Sequence, residues 1–204
     1  MQIDRVVVAS DCMAMTYIKS AEGIPLHGAL GGLHIGEEYS ELTVIDNNQV
    51  VFVRNIPVGA GSLKKNSEQT RNDFIQELSR SIGAYHDQGV GKPIHRLLMA
   101  GFTENAGLIE EDFKRAGSVH AGKIEVSSMD YRKYFNASQS VVEIVNQANQ
   151  FSFFELFSVL AYAGQTKVNL LLPELKLRRR VRETSREILG LGILIMSVFL
   201  LASL

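Results

Sequence analysis

The chain has 204 residues, of which 46% are hydrophobic and 21% charged, and a formal net charge of −1. This composition predicts one globular domain of ordinary size with an appendage, and it excludes a long disordered chain. The single cysteine, Cys12, excludes an internal disulfide framework and a cysteine-based zinc site, and it fits a reduced cytoplasmic compartment.

The sequence pattern of the first part of the chain predicts strands. The β-branched run at residues 6–9 and the segment 13–19 are both candidate strands, the second of them ending at a turn around Gly23 and Pro25. The glycine-rich stretch 28–32 lacks the spacing of a dinucleotide-binding loop, so it predicts a turn.

A hairpin and a long helix follow. Residues 42–45 and 50–53 flank Asp46-Asn47-Asn48-Gln49, whose residues tolerate the turn conformation of a hairpin. Ser67 is a candidate N-cap for an amphipathic helix that ends near Gly89. The apolar residues that predict this helix lie three or four apart: Phe74, Ile75, Leu78, Ile82 and Tyr85.

The second half of the body alternates strands and helices. The predicted elements are a strand at 94–100 ending at Gly101, a helix at 108–116, a weak strand at 124–126, a helix at 141–148 and a very apolar segment at 153–162. Mixed elements with a hairpin at the front predict a three-layer α/β unit. Gly164-Gln165-Thr166 is the predicted hinge between this body and the tail.

The tail combines a basic segment with an apolar one. Seventeen uncharged residues, 188–204, would form a helix of roughly 25 Å, slightly under the roughly 30 Å thickness of a bilayer core. Before them stand six cations: Lys176, Arg178, Arg179, Arg180, Arg182 and Arg186. By the positive-inside rule, the residues that precede the helix stay in the cytoplasm.

Two other interpretations of the tail are weaker. A buried C-terminal core helix is disfavoured because residues 188–204 are apolar all round. Nucleic-acid binding is disfavoured because the basic segment lacks interleaved aromatic residues and adjoins the apolar run, so membrane lipid is the expected partner.

Four segments, in this order, resemble the PilM family of type IV pilus assembly proteins and the similar cytoplasmic domain of GspL-type secretion proteins. The segment 32–44 is similar to a phosphate loop between two strands, 49–59 to the strand after it, and 97–108 to a strand-to-helix turn facing adenosine. The peptide Asn169-Leu170-Leu171-Leu172-Pro173 resembles the start of the PilN family, which precedes a basic segment and one membrane helix.

This resemblance implies a partial actin-like (ribonuclease H-like) α/β domain followed by one C-terminal transmembrane helix. The expected domains are 1–164, the cytoplasmic body; 165–187, the PilN-like peptide and basic segment; and 188–204, the membrane helix. It further implies a single-pass scaffold of the bacterial inner membrane that links cytoplasmic to periplasmic components of a type IV pilus or type II secretion assembly. The peptide would bind other assembly proteins, and self-association is expected.

The resemblance also implies a degenerate nucleotide site at Gly36, Glu37, Gly101 and Phe102. His34 stands where the family places an aspartate, and a neutral imidazole does not replace a carboxylate for magnesium. Phe102 puts a ring where backbone should approach the ligand. We therefore expect no catalytic residues and no cofactor. The alternative is an ATP-binding switch or weak ATPase of the same machinery, and a third reading is a partial reading frame without independent function.

The remaining chemical motifs favour structural roles. No pair among the five histidines has the i, i+4 spacing of helical metal ligands, so no metal site is expected, and a packed or solvent-facing His34 is favoured. Cys12 is expected in the core. Gly89-Val90-Gly91-Lys92 predicts an ordinary turn rather than a P-loop. The aromatic cluster 151–157 is expected mainly in the core, with a partner-binding patch as the alternative.

Overall fold

The computed structural model describes residues 6–25, 27–65, 67–102, 106–116, 124–135 and 152–166 and the single residues 141, 143 and 170. The chain divides into two compact units, Val7–Thr166 and a second one made of Met1–Val6 with Lys167–Leu204. The helices and strands described below all belong to the first unit. Val6 and Leu170 are the described residues of the second.

The described residues of the body form one five-stranded mixed sheet. Its strands are β1 (Ala29–Ile35), β2 (Ser40–Asp46), β3 (Gln49–Ile56), β4 (Ile94–Gly101) and β5 (Glu125–Ser128). Their spatial order is β3-β2-β1-β4-β5. The pairs β1·β2 and β2·β3 are antiparallel, whereas β1·β4 and β4·β5 are parallel.

Helices cover both faces of this sheet. In the described part of the chain they are α1 (Ala9–Ser20), α2 (Ala60–Leu63), α3 (Glu68–Gln88), α4 (Ala106–Ala116), a 3-10 turn (Tyr131–Tyr134) and α5 (Phe154–Tyr162). One core lies between the sheet and α2, α3 and α4, and a second lies between the sheet and α1, α5 and the 3-10 turn. The predicted three-layer α/β unit is therefore confirmed.

The predicted hairpin and long helix are both confirmed. Asn47 and Asn48 have φ of 50° and 60°, so the β2–β3 connection is a two-residue turn with both residues left-handed, which suits the twist of a hairpin. The apolar positions predicted for α3 are buried. Ser67 stands at its N-cap position without a side-chain capping bond, and Gly89 ends the helix with φ of 62°.

The later elements also match their predictions within a few residues. The strand expected at 94–100 is β4, the helix at 108–116 is α4, and the weak strand at 124–126 is β5. The helix expected at 141–148 lies mostly outside the described residues; Val141 and Glu143 have helical hydrogen bonding.

The strands expected at 6–9 and 13–19 are wrong. Residues 6–8 are irregular, and Ala9–Ser20 is helical. Met13, Tyr17 and Ala21 are four residues apart, the spacing that brings side chains to one face of a helix, and all three lie in the core. Asp11 in the first turn and Lys19 in the last turn also complement the helix dipole.

The turn expected at 28–32 is also wrong, because Gly31 and Gly32 lie in the central strand β1, which begins at Ala29. A Cβ on Gly32 would come within 2.2 Å of the Tyr17 ring, and one on Gly31 within 2.8 Å of the Leu97 side chain. The glycines thus make room for large side chains on both faces of the sheet.

Helix α5 contains residues 154–157 of the aromatic cluster. Phe154 is fully buried against the rings of Tyr17 and His34, which confirms the core interpretation for this residue. On the outer side, Leu156 and Leu160 are 53% and 71% exposed. The predicted membrane helix at 188–204 lies outside the described residues, and within the described part no helix is both long and apolar enough to cross a bilayer.

Candidate functional site

The structure brings the four predicted nucleotide-site residues together at one edge of the sheet. Strands β1 and β4 are parallel neighbours, and Ile35 pairs with Gly101 at their carboxyl ends. Gly36 and Glu37 follow β1, and Phe102 follows β4, with its N–H donating to the carbonyl of Ile35 at 3.0 Å. The carboxyl ends of parallel strands are where open α/β sheets bind ligands.

Backbone groups at this edge are bonded to the protein itself. The N–H of Gly36 donates to Tyr39 O at 3.0 Å, that of Ala60 to Gly36 O at 2.8 Å, and that of Gly61 to Glu37 O at 2.9 Å. A phosphate cradle needs several N–H groups directed at the anion. These three N–H groups, one from the loop after β1 and two from the start of α2, are already bonded within the protein.

Two glycines at this edge make close backbone contacts rather than leave room for a ligand. A Cβ on Gly59 would lie 2.5 Å from the carbonyl oxygen of Glu37, and one on Gly101 would lie 2.4 Å from that of Ile35. Gly101 also has φ of +97°, which a side chain would strain. The glycines therefore close the edge by packing one segment of backbone on another.

Lys64 is a residue of this edge that the sequence did not reveal. Its ammonium lies 3.1 Å from a carboxylate oxygen of Glu37 and 4.8 Å from the centroid of the Phe102 ring. The contact joins residues far apart in the chain, so no local pattern could have found it. The ammonium pairs with the Glu37 carboxylate and lies over the Phe102 ring. Both groups are therefore engaged within the protein, and we call this edge of the sheet closed.

His34 is a packed histidine, which is one of the two environments that the sequence favours over a metal-binding role. It is 6% exposed, lies against the Phe154 ring, and has Nε2 3.4 Å from Ser152 Oγ. Burial lowers the pKa of His34 to about 4, so the imidazole is neutral at physiological pH. It provides no negative charge for a metal ion where the actin-like pattern has aspartate.

The sequence did not single out several other polar side chains, among them the half-buried Glu41 and the buried Thr16 and Ser158. Glu41 stands directly opposite His34 across β1 and β2, and burial raises the pKa of its carboxyl group. The Tyr17 hydroxyl, among the described residues, has no hydrogen-bond partner, and burial raises its pKa well above the usual value. Thr16 and Ser158 bond each other at 2.9 Å and connect α1 to α5.

A cavity of about 330 Å³ lies at the opposite end of β1, near the hairpin turn. Its polar lining includes Glu22, Asp46 and Lys92, and its apolar lining includes Ile18 and Leu30. The segment 89–92 contributes through a turn, as expected, with the Lys92 carbonyl accepting a bond from the Tyr85 hydroxyl at 2.7 Å. Among the described residues, no three or more His, Cys, Asp or Glu side chains cluster as metal ligands.

Only one residue of the predicted partner-binding peptide is described. Leu170 is 57% exposed, and its N–H donates to the carbonyl of Val6 at 2.8 Å. Asn169, Leu171, Leu172 and Pro173 lie outside the described residues, as does the whole basic segment.

The arrangement of sheet, helices and strand-end loops is similar to that of a chain in a solved "PilM-PilN type IV pilus biogenesis complex", with a TM-score of 0.52 and 14% identity. The chain has a PilM-like actin fold. The alignment covers 79% of this chain and 53% of the other, so the PilM-like chain spans about half the length of its solved neighbour.

Other solved structures are less similar to this chain. The Ppx/GppA family member of Aquifex aeolicus aligns with 49% of this chain and 35% of its own at 18% identity, and its TM-score of 0.34 is too low to support an argument. No protein-family model matches the sequence, and no curated protein matches it. The resemblance to the PilM family is confirmed at the level of fold, and the PilN-like peptide at 169–173 stays a prediction.

Proposed function

We propose that this chain is a non-enzymatic scaffold of bacterial type IV pilus assembly, tethered to the inner membrane by residues 188–204. The observation that carries the proposal is the fold shared with a chain of the PilM-PilN complex over 79% of this sequence. The body would lie in the cytoplasm and bind other assembly proteins, and the span would connect them to periplasmic components. The proposal includes the same scaffold role in a type II secretion assembly.

The peptide 169–173 is the proposed partner-binding segment. Leu170, Leu171 and Leu172 would supply apolar anchors, and Pro173 would limit the backbone freedom lost on binding. The exposed Leu170 side chain supports this role, because an apolar anchor must be accessible before it binds. Self-association of copies through the same peptide belongs to the proposal.

The membrane tether is proposed from the sequence of the tail. Six cations just before an uncharged seventeen-residue run favour insertion with the body on the cytoplasmic side and contact with anionic lipid. Alkaline carbonate extraction of expressed material tests this point. Recovery of the full chain in the supernatant, without aggregation, would contradict the tether.

A binding role without turnover is supported by the closed edge at Gly36 and Gly101. Three backbone N–H groups there are already bonded, Glu37 is paired with Lys64, and His34 is buried and neutral. Phosphoryl transfer depends on a held metal ion and on donors aimed at the phosphates. We therefore propose no cofactor for this chain.

The alternative is an ATP-binding switch or weak ATPase, and the convergence of Gly36, Glu37, Gly101 and Phe102 at one sheet edge favours it. Titration of the full chain with a fluorescent ATP analogue and magnesium separates the two functions. Micromolar binding that is lost in Gly101→Val, with the fold intact by circular dichroism, would favour the switch.

The scaffold itself is tested by binding to a separately purified PilM-type protein from a pilus system of the same genome. The double variant Leu170→Asp, Leu172→Asp should lose binding, since charged groups cannot enter an apolar groove without large desolvation cost. Val90→Asp, at a 54% exposed position of the α3–β4 turn, is the matched control and should bind normally. Equal binding by both variants would rule out the peptide as the contact.

A further inference from the structure

The cavity of about 330 Å³ near the hairpin turn lies at the end of β1 opposite to the closed edge. Its volume falls at the small end of the range of about 300–1,000 Å³ that small-molecule sites occupy. The lining comes from the end of α1, from β1 and β2, from the β2–β3 turn and from the segment before β4. A ligand in this cavity would therefore contact several elements of the body at once.

The apolar part of the lining is aliphatic. It includes Leu30 of β1 and Ile45 of β2, which are buried in the second core, and Ile18 of α1, which packs against that core. An aliphatic group of a ligand would leave water to contact these side chains, which favours binding.

The charged side chains of the lining are Glu22, Asp46 and Lys92. The Glu22 carboxylate lies 3.0 Å from the ammonium of Lys19, so its charge is already balanced. Asp46 and Lys92 do not form an ion pair with each other, and neither forms one with any other residue that the structure describes. The cavity thus offers a ligand one carboxylate and one ammonium.

Both of these charged residues belong to anchored backbone. Asp46 ends β2 and pairs with Gln49 across the two-residue turn. The carbonyl of Lys92 accepts the hydrogen bond of 2.7 Å from the Tyr85 hydroxyl. A Cβ on Gly91 would lie 2.4 Å from that hydroxyl and 3.6 Å from the Asp46 carboxylate, so the segment 91–92 packs beside the end of β2. Anchored groups lose little freedom when a ligand binds.

We propose that this cavity binds a free α-amino acid with an aliphatic side chain. The ammonium of the ligand would pair with Asp46, its carboxylate would pair with Lys92, and its side chain would contact the aliphatic lining. A ligand with a single charge would leave one group of the cavity desolvated and unpaired, which weakens binding. The inference goes beyond the proposed function, because the cavity shares no residue with the closed edge or with the peptide 169–173.

Calorimetric titration of the full chain with L-leucine tests the site. We expect saturable binding with a Kd below about 1 mM. Two analogues test the recognition of both charges, since 3-methylbutylamine lacks the carboxylate of leucine and 4-methylpentanoate lacks its ammonium. Each analogue should bind at least about tenfold more weakly than leucine. Equal affinity for all three compounds, or no saturable binding of leucine up to about 10 mM, would overturn the proposal.

Two variants locate the binding in this cavity. Asp46→Asn and Lys92→Gln each remove one charge and should weaken leucine binding at least about tenfold. Asparagine suits the turn and Lys92 is exposed, so both variants should fold, which circular dichroism checks. Lys114→Gln, at a side chain of α4 that is 60% exposed, is the matched control and should bind leucine normally.

Parent-like affinity for leucine in either folded cavity variant would show that the ligand does not bridge the two charges, and the proposal would fail. None of these measurements involves a pilus assembly protein. The scaffold role and the amino-acid site can therefore fail separately.

Discussion

The ring of Tyr17 lies directly against the backbone of Gly32, so closely that a Cβ at Gly32 would stand 2.2 Å from its Cε2 atom. Tyr17 comes from α1 and Gly32 from the centre of β1, so this contact sets how near the helix lies to the sheet. The Tyr17 ring packs in turn against the buried ring of Phe154, with 5.1 Å between their centroids.

Gly32→Ala should therefore destabilise the protein. Overpacking a filled core costs about 1–3 kcal/mol, and a rigid aromatic ring cannot move aside as a flexible chain end can. Gly107→Ala is the matched control, because nothing lies within 4 Å of a Cβ there and alanine favours helix α4. Urea unfolding followed by circular dichroism measures both. Equal midpoints for the two variants would contradict the packing argument.

Tyr17→Phe should leave stability unchanged or raise it. The hydroxyl is buried and, within the described part of the chain, has no hydrogen-bond partner, so its removal relieves a desolvation cost of about 1–3 kcal/mol. The same unfolding assay applies. A loss of more than about 1 kcal/mol would mean that the hydroxyl has a partner such as bound water.

Stability should fall as the solution is acidified from neutral pH. The pKa of His34 is about 4 in the folded protein because burial disfavours the imidazolium, against 6.5 for an unperturbed side chain. The unfolded chain thus takes up the proton first, and the contribution is present above pH 6.5 and lost as the pH falls toward 4. Its size is about 3 kcal/mol.

His34→Gln isolates this contribution. The raised pKa of Glu41 acts in the opposite sense, since its stabilisation is lost as pH rises, so the wild-type curve alone mixes the two. Subtracting the unfolding free energies of the variant from those of the parent between pH 4.5 and 7.5 should leave a positive slope with pH. A flat difference would mean that His34 is not buried and neutral.

The Arg71–Asp112 ion pair should matter more than a surface pair. Arg71 Nε lies 2.9 Å from Asp112 Oδ2, with side chains 14% and 11% exposed, and it connects α3 to α4. Asp112→Ala should cost about 1–3 kcal/mol, because it leaves a partly buried guanidinium without this carboxylate. Glu110→Ala, which breaks a pair with the 60% exposed Lys114 side chain, should cost under about 0.5 kcal/mol.

The two sides of α5 should respond differently to substitution. Phe154→Ala removes a fully buried ring and should cost about 3–5 kcal/mol. Leu160→Gln changes a side chain that is 71% exposed and should stay within about 0.5 kcal/mol. Comparable losses from both would show that the outer leucine is covered.

Local patterns were enough to predict the hairpin, α3, β4 and α4. Asn47 and Asn48 are residues that tolerate the left-handed conformation, so they predict the turn. The three- or four-residue spacing of the apolar residues from Phe74 to Tyr85 predicts the helix. The same local reasoning failed at α1 and β1. There, the reason for two adjacent glycines is a tyrosine fifteen residues earlier and a leucine sixty-six residues later, which only the folded structure brings close.

The candidate site, too, could be predicted from the sequence only in part. The family resemblance located Gly36, Glu37, Gly101 and Phe102, and the structure places them at one edge. The closed state of that edge depends on Lys64 and on bonds between the segments around residues 36 and 60, and no sequence spacing indicates these. The charge of His34 likewise depends on burial under Phe154.

The burial of Cys12 has a practical consequence for studying the protein. It is the chain's sole thiol, it is 0% exposed, and it lies on the inner side of the first helix. Alkylating reagents should reach it only when that helix separates from the sheet, so the rate of maleimide capture reports the opening of this layer without any label having to be introduced.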